Sequence, residues 1–223
     1  MHVWIVIPAY NEAKTLEGVL KLLHKDGFHN TLVVDDGSKD KTFEIAKEHA
    51  KVAVRHRLNR GLGGALGTGI IAALRMGADY IVTFDADGQH DVKDLGRVLE
   101  PLKKGEADAV IGSRLLQPEG MPWFRRIQNR VGNVITLILF GVWTTDSQSG
   151  LRAFTRAGAE KIQIKTNRME VSSEIIHEIG RKKLRFVEVP IKAIYTDYSL
   201  SKGQSLFVGI KTLAKLLLHR LTK

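Results

Sequence analysis

Through its first half the chain alternates short β-rich runs with helix-forming stretches, and that alternation most constrains what it can fold into. Residues 3–7, 31–35, 51–55, 80–85 and 107–113 read as strands. Between them, residues 15–24, 40–50, 61–76 and 91–103 read as helices, with Asp40 placed to cap the second and Glu44 in its early turns. Strands joined through helices predict an α/β fold: a mainly parallel sheet flanked by helices on both faces. The pattern then changes. Residues 123–143 form an apolar, basic-flanked helical segment, and 151–154, 172–179 and 184–191 read as strand, helix, strand. Residues 204–223 form a C-terminal amphipathic helix. With no repeat, low-complexity tract or linker, the expected organisation is one domain over 1–203 with the helix 204–223 attached.

A chain of 223 residues suffices for one such core. Its 34 Lys and Arg against 24 Asp and Glu leave a net charge of +10, which favours an anionic partner: nucleic acid, an acidic membrane face or phosphorylated substrates. Nucleic acid is disfavoured, because the basic residues are dispersed and no zinc, helix-turn-helix or aromatic-basic signature occurs. Cysteine is absent, so a metal site must use oxygen or imidazole. The chain opens directly into a strand-like run rather than a signal peptide. Its longest apolar stretch, residues 134–143, covers about half of the roughly 20 residues needed to span a bilayer, so the chain is not expected to cross one by itself.

In a parallel sheet, ligands bind beyond the carboxyl ends of the strands. Polar clusters follow three of the expected strands: Pro8-Ala9-Tyr10-Asn11-Glu12, Asp35-Asp36-Gly37-Ser38 and Asp85-Ala86-Asp87-Gly88-Gln89-His90. Singly, each has an ordinary turn reading; recurrence at three strand ends argues for a site. Asp85 and Asp87 follow a buried strand, where paired carboxylates repel unless a cation joins them. Hard oxygen ligands suit Mg²⁺ or Mn²⁺. Gln89 is a further candidate ligand, and His90 a ligand or its support.

These clusters, together with Ile111-Gly112-Ser113-Arg114, resemble the successive motifs of the GT-A-fold, Rossmann-like inverting glycosyltransferases, and most closely the dolichyl- or polyprenyl-phosphate hexose synthases. The resemblance covers residues 3 to about 205. It implies that Pro8, Ala9, Tyr10, Glu12 and Asp36 surround the nucleoside of a nucleotide-sugar, and that Asp85, Asp87 and Gln89 hold the metal at its diphosphate. It places Arg114 near the transferring sugar or acceptor phosphate, and Asp146-Ser147-Gln148-Ser149-Gly150-Leu151-Arg152 along the acceptor side. Tyr198-Ser199-Leu200-Ser201-Lys202 resembles a loop closing on the nucleotide. Thr196 stands where mannose-transferring relatives commonly carry arginine, which weakens the case for GDP-mannose and leaves a UDP-sugar or another hexose open.

The acceptor divides two readings. A sugar hydroxyl needs a base, for which Asp146 is the candidate; the favoured alternative is that Asp146 is a structural partner for an arginine. A lipid phosphate needs no base but needs cations, and Arg114, Arg126, Arg130, Arg152 and Lys202 are available. Arg125, Arg126 and Arg130 adjoin the apolar 131–143, which otherwise reads as a core helix. Leu206, Ile210, Leu213, Leu217 and Leu221 mark one apolar face, Lys211, Lys215, Arg220 and Lys223 are cationic, and no acidic residue follows Asp197. Such a helix lies in a membrane interface or packs on protein. The expectation is a metal-dependent enzyme moving a hexose from a GDP- or UDP-sugar to dolichyl or polyprenyl phosphate. It would be cytoplasmic, peripheral on the inner membrane face, with a membrane-anchoring partner subunit admitted. The alternatives are transfer to a sugar hydroxyl in polysaccharide or glycolipid synthesis, or a non-catalytic nucleotide-sugar-binding subunit, against which both aspartates argue.

Overall fold

The computed structural model describes residues 1–192 and 194; the expected helix over 204–223, the loop at 198–202 and Thr196 lie outside the described residues. The alternation takes the expected form in β1 (Val3–Ala9), α1 (Leu16–Lys25), β2 (Thr31–Asp35), α2 (Thr42–His49), β3 (Val52–Arg55), α3 (Leu62–Arg75) and β4 (Tyr80–Thr83). There follow α4 (Asp94–Lys103), β5 (Ala109–Ser113), α5 (Trp123–Phe140), β6 (Arg152–Thr155), α6 (Arg156–Lys161), α7 (Val171–Arg181) and β7 (Phe186–Pro190). The six-residue α6, capped by the Thr155 hydroxyl accepting from the Gly158 N–H, is too short for its periodicity to have been visible in the sequence.

The seven strands form one sheet in the order β3-β2-β1-β4-β6-β5-β7. β1 runs parallel to β2 and β4, β2 to β3, and β5 to β7. β6 alone is antiparallel, to both β4 and β5. Its reversal matters for the site: Arg152, at the beginning of β6, pairs with Thr83 at the end of β4. The segment leading into β6 therefore lands at the edge where the parallel strands finish.

Period-2 alternation explains the two cores. Ile5, Ile7, Val33, Val82 and Val110 face α1 and α4, where Leu16, Leu20, Leu23, Leu95 and Leu99 are buried. Trp4, Val6, Leu32, Val34, Ile81 and Ile111 face α3 and α7, with Leu66, Ile70, Ile175 and Ile179. The Gly61-Leu62-Gly63-Gly64 stretch serves close packing: a Cβ at Gly63 would collide with the Thr166 carbonyl, so glycine lets the start of α3 abut the 166–168 segment.

The helix expected over 123–143 forms, but its orientation is the reverse of a core helix. Asn133, Thr136 and Leu139 are its buried residues. Trp123, Phe124, Ile127, Val131 and Val134 point outward and are exposed. No described helix is long and apolar enough to cross a membrane.

Candidate active site

Beyond the carboxyl ends of β1, β2 and β4 lies a cleft of about 430 Å³. Pro8, Ala9, Tyr10 and Glu12 form one side, Asp36 with Asn59 and Gly61 the next, and Asp85, Ala86 and Asp87 the floor. Gln148, Gly150 and Arg152 close it from the β6 side, and Arg168, Met169 and Ser172 from the start of α7.

The first two walls are stitched together by side chains of their own loops. Ser38 Oγ accepts from the Asn11 N–H at 2.9 Å, Thr42 Oγ1 from the Glu12 N–H at 2.8 Å, and Asn11 Oδ1 from the Lys39 N–H at 2.9 Å. Asn11 adopts a left-handed backbone (φ 56°), a conformation asparagine tolerates better than most residues. Asp36 is buried and organises the second of these walls. Its Oδ1 meets His56 Nδ1 at 2.7 Å and accepts from the Arg60 N–H at 2.9 Å, while Oδ2 accepts from the Gly61 N–H at 2.6 Å. His56 Nε2 in turn lies 3.0 Å from Thr68 Oγ1 on α3.

The polypeptide turns out of β4 at Phe84, which stays buried, and presents Asp85 and Asp87 to the cleft. Asp85 Oδ2 is 2.9 Å from His90 Nε2, and the imidazole is buried edge-on against Phe84. Burial works to raise the Asp85 pKa, but the His90 hydrogen bond and charge, with Arg114 and Arg152 behind them, hold it below the ordinary value. Asp87 is pushed the other way, upward, by its own burial and by the charge of Asp85. Since its folded-state value exceeds the unfolded one, ionised Asp87 costs stability at neutral pH, a cost that a cation beside the two carboxylates would relieve. Gln89 does not line the cleft; its backbone N–H and Nε2 donate to the two Asp87 oxygens at 2.9 and 2.8 Å and so aim that carboxylate. Among the described residues no group of three or more acidic or histidine side chains encloses an ion. Two carboxylates open to a cleft fit Mg²⁺ or Mn²⁺, hard ions that keep positions for water and substrate oxygens.

Gly150 makes this arrangement sterically feasible. A Cβ there would overlap the Asp85 carboxylate, so the Ser149-Gly150 order puts glycine where the aspartate needs room. The Gly150 carbonyl accepts from Thr83 Oγ1 at 2.7 Å, tying the segment to β4. Arg152 is buried, with one guanidinium nitrogen donating to the Ser147 carbonyl at 3.0 Å and its Nε unpartnered. Burial draws its pKa down to about 10 against the favourable charges of Asp85 and Asp146, so it remains cationic at neutral pH.

Asp146 and Arg114 do not line the cleft. The Asp146 side chain has 0% exposure. Its Oδ2 accepts from the Arg114 N–H at 3.0 Å and Nε at 2.7 Å, and its Oδ1 from an Arg114 terminal nitrogen at 2.9 Å. Glu188 on β7 secures the loop that delivers Asp146, accepting from Thr144 Oγ1, the Thr145 N–H and Thr145 Oγ1. Of the remaining arginines picked out in the sequence, Arg126 donates to the Met121 and Pro118 carbonyls, and Arg130 is exposed on α5. Lys202 lies outside the described residues. Sequence reasoning missed Arg168 and Asn59, which line the cleft from connections that carry no motif, and Ser172, in the first turn of α7; Asn59 had a faint signal in its place just ahead of the glycine-rich helix.

A mostly parallel sheet with paired carboxylates and a buried arginine at its carboxyl edge defines the class: a glycosyltransferase of GT-A architecture. The chain belongs to glycosyl transferase family 2, whose model matches residues 4–169. The UDP-N-acetylglucosamine–dolichyl-phosphate N-acetylglucosaminyltransferase of Methanococcus voltae is 37% identical over 99% of this chain and 97% of its own length. The undecaprenyl-phosphate mannosyltransferase of Micrococcus luteus is 34% identical over 94% of this chain and 90% of its own. Among solved structures, glucosyl-3-phosphoglycerate synthase from Mycobacterium tuberculosis, in complex with Mn²⁺, UDP and phosphoglyceric acid, superimposes with a TM-score of 0.73 at 21% identity. That likeness covers 98% of this chain and 78% of the other, and establishes the shared fold.

Proposed function

We propose that this enzyme moves a hexose or N-acetylhexosamine from a nucleotide-sugar to a polyprenyl or dolichyl phosphate at the cytoplasmic face of a membrane. The observation that carries the choice of acceptor is the state of Asp146. A hydroxyl acceptor needs a base with a free oxygen facing it. Asp146 is buried with both oxygens committed to Arg114. Its role in this reading is to hold that guanidinium, and the acceptor is a group already anionic at neutral pH. Arg152, buried at the cleft, and Arg114 behind it offset the repulsion between two phosphorylated substrates. Two relatives that the chain covers almost whole are named for lipid-phosphate acceptors. Their names differ in the sugar, and Thr196 stands where mannose-transferring relatives commonly carry arginine, so the donor class spans UDP-sugars as well as GDP-mannose. Transfer to a sugar hydroxyl is the second reading, and the same pairing of Asp146 counts against it.

Pro8, Ala9, Tyr10, Glu12 and Asp36 receive the nucleoside, with Lys202 assigned to close over it. Asp85 and Asp87 face the diphosphate, and Gln89 steadies Asp87. A divalent cation held there supplies charge neutralisation to the departing nucleoside diphosphate. Arg126 and Arg130 extend the cationic path along α5 towards the lipid. The reading requires no anchoring partner subunit.

The test is a panel of nucleotide-sugars offered to the full chain with a short polyprenyl phosphate, the product identified by mass. The expected product is a sugar phosphodiester of the lipid, lost in excess chelator and restored by Mg²⁺ or Mn²⁺. Activity undiminished by chelator removes the metal assignment, and transfer only to a sugar hydroxyl overturns the acceptor. The Asp36–His56 contact yields a separate expectation. His56→Ala removes one charge-assisted hydrogen bond and should raise the donor KM about tenfold, with kcat within about threefold. His56→Asn, which keeps a donor near the Nδ1 position, should recover much of the loss; an unchanged KM in the alanine variant would sever His56 from donor binding.

A further inference from the structure

α5 is amphipathic in the inverted sense. Trp123, Ile127, Val131 and Val134, with Phe124 beside them, fall within an arc of roughly 100° on the helix. Trp123 is 73% exposed, Ile127 52% and Val131 53%; Trp143, just beyond the helix, is 55% exposed. An apolar stripe of this extent marks an interaction surface rather than ordinary surface scatter. The opposite face is polar and fastened to the acceptor side of the cleft. Asn133 donates to the Thr145 carbonyl and accepts from the Ser147 N–H at 2.9 Å, and Thr136 Oγ1 lies 3.3 Å from Ser173 Oγ. Gln148, which lines the cleft, is 3.4 Å from both Ser147 Oγ and Ser173 Oγ.

We infer that the outward face of α5 is a membrane seat whose partner is the headgroup–acyl boundary of an anionic bilayer. Charge selects this occupant. From Gly120 to Thr145 the chain has no acidic residue, and the exposed Arg130 flanks the apolar stripe, with Arg126 and Arg125 further round the same helix. The segment 204–223 is itself basic and has no acidic residue, and a second copy of α5 would likewise bring arginine to arginine. Anionic headgroups supply the opposite sign. Trp123 and Trp143 stand at the two ends of the segment, a placement suited to side chains with an apolar body and a polar N–H at an interface. Because the inner face of α5 holds the loop carrying Gln148, the seat sets the acceptor side of the cleft next to the bilayer surface. A lipid phosphate then reaches the arginines without its chains leaving the membrane. This deepens the lipid-phosphate reading and rests on it for its purpose, though its test needs neither substrate.

The full chain is mixed with vesicles of phosphatidylglycerol and phosphatidylcholine that contain no polyprenyl phosphate. Trp4 is buried (5% exposed), so a change in tryptophan emission reports Trp123 and Trp143. The expected result is a blue shift and co-sedimentation with anionic vesicles, both much weaker with phosphatidylcholine alone. Val131→Asp/Val134→Asp should lower partitioning at least about tenfold, with circular dichroism and nucleotide binding unchanged. Removing residues 204–223 should leave the blue shift in place. Unaltered partitioning of the double variant, or no shift in the parent, overturns the inference. So does shielding of Trp123 from soluble quencher without lipid, if removing 204–223 abolishes it (the chain's own helix covers the face) or dilution does (a second copy). Transfer to a short polyprenyl phosphate in detergent is measured alongside. Its persistence in the double variant is expected, and its absence from the parent would strike the proposed reaction and not the seat.

Discussion

Replacing Asp87 with alanine is expected to lower sugar transfer by a factor of about 10³ or more while leaving the fold intact. The size follows from what the carboxylate faces. Asp87 sits on the cleft floor beside Asp85, and its pKa is raised by burial and by that neighbour, so it ionises at a cost that a cation repays. Without it a single carboxylate remains to face the donor diphosphate. The fold does not depend on it, since its carboxylate is hydrogen-bonded to Gln89, only two residues along the chain. The metal-free variant should melt no lower than the parent, because a like charge has been removed from Asp85. Mn²⁺ should raise the melting temperature of the parent and leave that of the variant nearly unchanged. Turnover with the short polyprenyl phosphate and melting with and without Mn²⁺ are the two measurements. Near-normal turnover would take Asp87 out of the chemistry. Gln89→Ala, which only loosens the aim of Asp87, is expected to cost about 10–100-fold.

The second large effect is on stability. Arg114→Ala should destabilise the protein by about 3–5 kcal/mol, a considerable share of the roughly 5–15 kcal/mol that holds a domain folded. The Asp146 carboxylate has no exposed surface and takes both side-chain bonds of a bidentate pair from Arg114. Deleting the guanidinium strands that charge. The double variant Arg114→Ala/Asp146→Ala should recover a good part of the loss, because it removes the stranded group as well. Urea unfolding of the parent, both single variants and the double variant closes the cycle. Adding Asp146→Asn to the set separates the two candidate roles of Asp146. As the holder of Arg114, its replacement by asparagine lowers kcat and the unfolding midpoint together. As a base, it would lower kcat and remove the acid limb of the pH profile, with the midpoint unmoved.

The strands were readable because each is a short apolar run bounded by turn chemistry. Residues 31–35 were outlined from the sequence as they form in β2, and others shifted by a residue or two. β4 ends at Thr83 rather than Asp85, because the chain turns at Phe84 to present the aspartates. α4 begins at Asp94 rather than Asp91, whose carboxylate accepts from the Lys93 N–H in the turn ahead of the helix. The strand-end clusters were legible for a related reason: a carboxylate directly after a buried strand in a parallel sheet has only the ligand edge to occupy. Asp85, Asp87, Asp36, Tyr10 and Glu12 do meet in one cleft. Arg168 was not legible, since a loop arginine looks the same in sequence whether it faces a cleft or bulk solvent.

Local sequence, then, determined the alternation of elements, the parallel class of sheet and the identity of the polar residues at its edge. Those properties follow from side-chain periodicity and turn propensity within a few residues. Tertiary structure decided three others. It set the antiparallel direction of β6, which carries Gly150 and Arg152 to the aspartates and which periodicity cannot encode. It paired Asp146 with Arg114, 32 residues apart, turning a candidate base into a guanidinium holder. And it rotated α5 so that Asn133 and Thr136 face inward, because the loop carrying Asp146 and Ser147 offers polar backbone groups that hydrogen-bond donors and acceptors satisfy and apolar side chains would leave unpaired. Which face of an amphipathic helix is buried depends on what it meets, and that is a property of the assembled fold.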